Sequence, residues 1–359
     1  MKLGIIGGGQ LAYMLSENIN KTFFNIIESI YIYSDKYDIP CNLLKENTKI
    51  NIIYGDYTLE NLVDFSNKCD IITYEFENID INILKQIQKP IYPDIKYLEI
   101  IQDKFIQKEF LRENNLNVGD YSVINSTEDI HDFIKVYDYP IIIKARRGSF
   151  DGRGNKVIQN QQELNSWLLD NTDDLNKYYI EDFINFDSEL SICGTKNNGI
   201  INYYEPVKNL HKNNILIKTE YNNNIIKDNI KSKVKNIYND LLNLFDTKGV
   251  ICCEFFEYNN DVYINEIALR VHNTYHISLD CCNTSQFELH LRSILDLEIY
   301  KLKFIKNGYM YNMISNLQTE DDILNIYEEM KEKYDVNIKK YNKKPLGIRK
   351  IGHVNFIEK

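Results

Sequence analysis

Over residues 1–94 the chain alternates short apolar runs with segments of helical periodicity, and this rhythm restricts the fold more than any other feature. Runs at 3–6, 29–33, 50–54, 71–74 and 90–92 read as strands. Between them, 10–18 and the segment that Thr58 would cap place apolar residues at helical spacing. A strand–helix series of this kind predicts a parallel sheet with helices on both faces.

After Asp94 the pattern changes. A helix is expected at 103–114, then a strand at 141–144 that runs into a glycine-rich turn. Strands at 177–180, 189–195, 199–204, 249–256 and 262–267, with helices near 161–169 and 231–245, make this region mixed α+β. Ser285-Gln286-Phe287-Glu288 reads as a capping box, and Phe287, Leu291, Ile294 and Leu295 put an apolar stripe on the helix after it. A length of 359 residues favours two or three domains, with expected boundaries at 1–95, 96–296 and a small lysine-rich 297–359.

Composition narrows the partners. Hydrophobic residues at 43% and charged residues at 26% describe a soluble globular chain, and a net charge of -10 argues against nucleic-acid binding by bulk phosphate neutralisation. Seven cysteines without a C-x-x-C pair suit neither a disulfide framework nor a zinc site, so a reducing compartment is expected. The amino-terminus lacks signal-peptide anatomy and no apolar run reaches membrane-spanning length, which points to a cytoplasmic protein without a membrane partner.

Four motifs carry chemistry. Gly7-Gly8-Gly9-Gln10-Leu11-Ala12 follows a strand and satisfies G-x-G-x-x-A, with Asp35 ending a later strand. Taken alone it is either a dinucleotide fingerprint, hence an NAD-dependent oxidoreductase, or only a tight strand-to-helix turn. A second segment, from Arg146 through Gly148 to Gly154, follows a strand holding Lys144; glycines let the backbone approach phosphate oxygens and the basic side chains supply charge. No Walker-type P-loop occurs. A hairpin centred on Asn260 would set Glu254 opposite Glu266, and two facing carboxylates need a shared proton or a cation such as Mg2+ bridged to nucleotide phosphates. Arg270, His272, Asn273 and His276 follow at once. Arg270 suits stabilisation of a transferred phosphoryl or bound oxyanion; His276 is either part of that centre or structural, and His-x-x-x-His lacks a third zinc ligand. The basic tail, 341–344 and 349–353, would capture a substrate phosphate or simply be solvated.

In order, 7–11 (GGGQL), 73–78 (TYEFEN), 150–154 (FDGRG), 265–268 (NEIA), 270–273 (RVHN), 285–288 (SQFE) and 349–353 (RKIGH) make the whole chain resemble the N5-carboxyaminoimidazole ribonucleotide synthetase family. The resemblance implies an ATP-grasp fold, α/β and α+β, with a Rossmann-like pre-ATP-grasp domain whose glycine turn faces the nucleotide substrate rather than NAD. It places Lys104 and Lys144 on ATP phosphates under a loop of Gly148, Ser149, Phe150, Asp151, Gly152, Arg153 and Gly154. Glu181, Asp182, Phe183, Ile184 and Glu189 would hold adenine and ribose, with His211 and Asn265 at further nucleotide positions and Glu254 and Glu266 on Mg2+. Arg270, Asp151, Arg153, His272 and Asn273 take catalytic positions, and Gly9, Gln10, Leu11, Glu75, Lys343, Arg349 and Lys350 the substrate site. The implied reaction is attack of bicarbonate on ATP to give carboxyphosphate, then carboxylation of 5-aminoimidazole ribonucleotide, carried out by a homodimer.

Some positions depart from the family's pattern. Ser149 and Phe150 stand in its Gly-Gly-Tyr-Asp-Gly, Leu269 in its Ala-Pro-Arg, Lys104 in place of arginine, and Thr274-Tyr275 in its His-Asn-Ser-Gly-His. Tyr275 is expected to crowd the bicarbonate site. Another ATP-grasp carboxylate-amine ligase and a degenerate nucleotide binder are the competing readings. A shared pocket of Lys343, Arg349 and Lys350 with Gly9 and Gln10 would favour a phosphoribosyl substrate.

Overall fold

The computed structural model of the protein describes residues 1–37, 39–148, 154–316, 320–344 and 347–359. The first sheet comprises β1 (Lys2–Ile6), β2 (Ser29–Ser34), β3 (Ile50–Tyr54), β4 (Ile71–Tyr74) and β5 (Ile91–Tyr92). All its pairings are parallel and the order is β3-β2-β1-β4-β5, as the alternating pattern requires. Helix α1 (Gln10–Thr22) covers one face; α2 (Leu59–Ser66), α3 (Ile81–Leu84) and α4 (Ile95–Ile101) cover the other. The chain reverses direction across the sheet between β1 and β4, so the crevice at their carboxyl ends is a natural ligand position.

Helix α5 (Lys104–Glu113) leads to an antiparallel second sheet of β6 (Tyr121–Val123), β7 (Ile141–Ala145), β8 (Asn155–Ile158) and β9 (Tyr178–Asp182), ordered β6-β9-β7-β8. Ile130 and Phe133 of α6 (Thr127–Tyr137) and Leu164 of α7 (Gln161–Asn171) bury its outer face.

The third sheet holds β10 (Ser188–Asn197), β11 (Ile200–Tyr203), β12 (Val207–Lys212), β13 (Ile215–Tyr221), β14 (Ile251–Tyr258), β15 (Asp261–Ala268), β16 (Gly308–Ile314), β17 (Tyr334–Lys340) and β18 (Lys350–Glu358). Its order is β15-β14-β10-β12-β13-β16-β18-β17, with β11 beside β10. Thus the strands of the tail segment extend the same sheet, through β16 on β13. Against one face packs α8 (Asp228–Leu244), through Ile230, Val234, Tyr238, Leu241 and Leu242. The remaining helices are α9 (Ser278–Cys281), α10 (Gln286–Ile294) and α11 (Glu320–Met330).

Phe287, Leu291 and Ile294 of α10 join the core under α1, so the expected apolar stripe docks the first sheet onto the rest of the molecule. Its capping box is half formed. Ser285 Oγ accepts from Glu288 N at 3.1 Å, but the Glu288 carboxylate turns to Arg292 at 2.8 Å, because an arginine one turn away offers a charged donor.

Candidate functional site

A cleft of ≈ 950 Å³ opens between the second and third sheets, and its far wall is the crevice of the first. The hairpin of β14 and β15 forms part of its floor. Its turn is two residues long, Asn259 and Asn260, both with left-handed φ (51° and 59°), which is type I′ geometry. From that turn the pairing runs Tyr258 with Asp261 to Phe255 with Ile264, a register that would face Glu254 with Asn265. A β-bulge intervenes and restores Glu254 opposite Glu266. The expected pairing is therefore present for a different reason than a turn centred on Asn260. The bulge also lets two successive side chains, Asn265 and Glu266, line the cleft.

Glu254 and Glu266 titrate in opposite directions. Burial pushes Glu254 up to about 7, with His211 opposing and the charge of Glu266 adding to the rise. Although burial acts to raise Glu266 as well, Lys104 at 3.0 Å holds it below the ordinary carboxylate value. Two carboxylates, one of them held above its ordinary pKa by burial and in lesser part by the charge of the other, make an all-oxygen donor set that fits a divalent cation. Among the described residues no group of three or more His, Cys, Asp or Glu is placed to hold a metal, so further ligands would come from nucleotide phosphates.

Lys144, on β7, is buried and its ammonium lies 2.9 Å from Glu181 Oε2. Glu181 Oε1 accepts from the Tyr179 hydroxyl at 2.6 Å and faces Lys108 at 3.4 Å. Burial would raise this carboxyl, but Lys108 and Lys144 hold it down at about 2. These partners occupy the Glu181 side chain, and the following segment Asp182, Phe183, Ile184 lines the cleft beside the apolar Ile142, Val157 and Phe256. Glu189 and His211 share a short hydrogen bond at the same cleft. Lys104 N donates to Arg146 O at 2.8 Å, which anchors the base of the glycine loop. Asp103 caps α5 through Phe105 N (3.1 Å) and Ile106 N (3.2 Å) and also receives Arg146 (2.9 Å) and Arg147 (3.3 Å). Gly148 and Gly154 flank the loop, while Ser149, Phe150, Asp151, Gly152 and Arg153 lie outside the described residues.

The first sheet contributes two carboxylates. Glu75 sits on the amino-terminus of α1, accepting from Gly9 N and, at 3.0 Å, from Ala12 N. An added Cβ on Gly9 would fall 2.6 Å from Glu75 Oε1, so glycine is needed here to admit a carboxylate. The anion position that a dinucleotide pyrophosphate would use is thus filled by the protein's own side chain, and the NAD reading fails on that ground. Glu77 accepts from Leu269 N at 3.0 Å and holds Arg270 Nη2 at 3.3 Å, tying the first sheet to the end of β15. Arg270 Nε is buried without a partner among the described residues, inside a cleft that Arg270 lines.

His272 and Asn273 line the same cleft; burial, with Arg270 and Lys350 nearby, keeps His272 neutral. His276 does not join them. It is fully buried, with Asn273 Oδ1 at 3.1 Å and Gln286 Nε2 at 3.2 Å, and serves the core. Nor does Tyr275 crowd the cleft: its ring is fully buried in the core on the other side of the turn, where its hydroxyl donates to Ser191 O (3.1 Å) and Glu205 O (2.9 Å).

Of the basic tail, Lys343 hydrogen-bonds Gln10 Oε1, and Lys350 lines the cleft along with Gln10 and Leu11. Arg349 stands next to Lys350, but its Nη1 donates to Lys344 O at 3.3 Å. The convergence therefore holds for Lys343 and Lys350 and is not seen for the Arg349 side chain. No role was assigned from the sequence to Lys108, Glu77 or Asp103. Lys108 had a signal, since it lies one helical turn after Lys104 and so shares its face.

Residues 1–102 match the ribonucleotide synthetase preATP-grasp domain, and residues 109–287 the ATP-grasp domain. The chain is 32% identical over 373 residues to phosphoribosylaminoimidazole carboxylase of Candida glabrata, covering 99% of this chain and 63% of that protein. To N5-carboxyaminoimidazole ribonucleotide synthase of Staphylococcus aureus it is 30% identical over 361 residues, covering 99% and 92%. Among solved structures, N5-carboxyaminoimidazole synthase of Aspergillus clavatus in complex with ADP and 5-aminoimidazole ribonucleotide superposes with a TM-score of 0.87 at 26% identity, covering 99% and 93%.

Proposed function

The chain belongs to the N5-carboxyaminoimidazole ribonucleotide synthase family, and from that premise we propose that it uses ATP to carboxylate 5-aminoimidazole ribonucleotide with bicarbonate, in purine nucleotide synthesis. The observation that carries this reading is one cleft in which the Glu254/Glu266 pair, Lys144 and Arg270 face Gln10 and Lys350 from opposite ends of the chain. A phosphate-rich cosubstrate and a phosphorylated acceptor would meet there.

Bicarbonate oxygen attacks the γ-phosphorus and ADP leaves, giving carboxyphosphate; the exocyclic amine of the aminoimidazole then attacks the carboxyl carbon and phosphate leaves. Lys104 and Lys144 neutralise the triphosphate, and Arg270, held rigid by Glu77, offers its remaining donors to the charge developing between the two reactants. Glu254 and Glu266 would hold Mg2+, which when bound neutralises charge on the phosphates. Gln10 and the backbone of the glycine turn orient the acceptor, while Lys343 and Lys350 are assigned its phosphate; Arg349, turned to Lys344 O, is not. His272 and Asn273 border the bicarbonate position, and by family resemblance Asp151 and Arg153, outside the described residues, are assigned to the same reaction. A homodimer remains part of the proposal on family grounds, and a cytoplasmic location on sequence grounds.

The test is phosphate release from ATP with Mg2+ and labelled bicarbonate, with and without 5-aminoimidazole ribonucleotide. Release that depends on the aminoimidazole, with one labelled product per phosphate and its loss in Glu266→Gln, is expected. Tight ATP binding without stimulation would instead assign the cleft to another acceptor.

A further inference from the structure

Three buried charges meet at one wall of the cleft, and two of them line it. Lys144 and Glu181 face the cavity; Lys108, on α5, sits behind them at 3% exposure. Two ammonium groups share one carboxylate, Lys144 on Oε2 at 2.9 Å and Lys108 on Oε1 at 3.4 Å, so among the described residues this three-residue cluster carries one excess positive charge. A buried ammonium that is only half paired is unfavourable unless an anion approaches. Were Lys108 absent, Lys144 and Glu181 would form a closed neutral pair, and Lys144 would have less charge to offer a ligand. Lys108 Nζ also donates to Ile264 O at 3.3 Å, the strand residue just before the bulge that turns Asn265 and Glu266 into the cleft. One helical turn earlier, Lys104 grips Glu266 at 3.0 Å, so a single helix face sets both the charge and the geometry of the phosphate end.

We propose that Lys108 is a positioning residue for triphosphate recognition: without touching the ligand, it supplies the excess charge that frees Lys144 from Glu181 and pins the bulge of β15. This inference rests on the nucleotide reading of the cleft. Burial draws the Lys108 pKa down to about 8 against the pull of Glu181, with the neighbouring Lys144 charge adding to the fall, in keeping with two ammonium groups on one carboxylate.

A charge effect discriminates by ligand charge, and a packing defect does not. Titration calorimetry of wild type, Lys108→Met and Lys108→Gln with ATP and with adenosine separates the two. The expected result is ATP affinity weakened about tenfold in both variants, the order for losing one nearby charge in a partly buried site, with adenosine affinity within about twofold of wild type. Unchanged ATP affinity would overturn the proposal. Equal weakening of ATP and adenosine in both variants would also overturn it, because Lys108 would then serve only the fold. Failure of the wild type to bind either ligand would remove the nucleotide reading first, and the inference with it.

Discussion

Tyr275 occupies a position where a glycine was expected beside the reaction centre, and its side chain has gone into the core. Its ring centroid lies 5.4 Å from that of Tyr204, and its hydroxyl donates to the carbonyls of Ser191, within β10, and of Glu205, between β11 and β12. A large residue in this place is therefore a packing element, and access to the cleft is untouched. Tyr275→Phe should lower unfolding free energy by about 1 kcal/mol, the net worth of a buried hydroxyl bond, and Tyr275→Ala by about 3–5 kcal/mol through the cavity left behind. Urea denaturation measures both. Neither change should raise turnover; a faster Tyr275→Ala enzyme would mean that the ring does obstruct the site. Glu75 teaches a related lesson. Its carboxylate fills the helix terminus that the glycine turn leaves open, so the same glycines that imitate a dinucleotide site admit a carboxylate of the protein itself to the wall of the cleft.

At the scale of elements, the phosphate end depends on a bulge and a cap. The two-residue turn of β14 and β15 alone would have put Asn265 opposite Glu254, and the bulge corrects the register while presenting one more side chain. Asp103 links the cap of α5 to the root of the glycine loop by taking two backbone amides and two arginines on one carboxylate. Asp103→Ala should lower stability by about 1–2 kcal/mol from the lost cap and raise the KM for ATP several-fold as Arg146 and Arg147 come loose. Asp103→Ser should recover most of the stability, since serine caps well, without recovering the KM. Recovery of both by serine would break the proposed link between cap and loop.

Over the whole molecule, buried histidines hold distant segments together. His290, on α10, accepts from Val250 N at 3.2 Å on Nδ1, which leaves Nε2–H to donate to Thr73 Oγ1 of β4 at 2.8 Å. His353, on β18, takes the Tyr341 hydroxyl at 2.6 Å. Burial lowers both to about 3 from an ordinary 6.5. Below 6.5 the unfolded chain therefore binds protons that the folded chain refuses. Their stabilisation is complete above 6.5 and falls toward pH 3, by about 1.4 kcal/mol per pH unit for each group. Glu254 works in the opposite sense between 7 and 4.5, because its folded form prefers to stay protonated. The decisive comparison is consequently between slopes: His290→Asn should lose less stability than wild type between pH 6.5 and 5, by about 2 kcal/mol. Identical slopes would show that His290 charges without penalty in the fold.

The order of strands and helices in the first sheet, the Thr58 cap, the strand–loop–strand about Lys144 and the facing strands that carry Glu254 and Glu266 could all be read from the chain, because each depends on local periodicity or turn chemistry. What joins residues far apart could not. Lys343 meets Gln10 across 333 residues, an approach that only the family resemblance anticipated, and Arg270 meets Glu77 across 193, which nothing did, because no local pattern encodes which charge will find which partner. The inward turn of Tyr275, the plugging of the glycine turn by Glu75 and the third charge supplied by Lys108 belong to the same class. Propensity and periodicity act over a few residues, whereas burial makes every charge find a partner or bear the cost, and only docking of the sheets decides which partners are within reach.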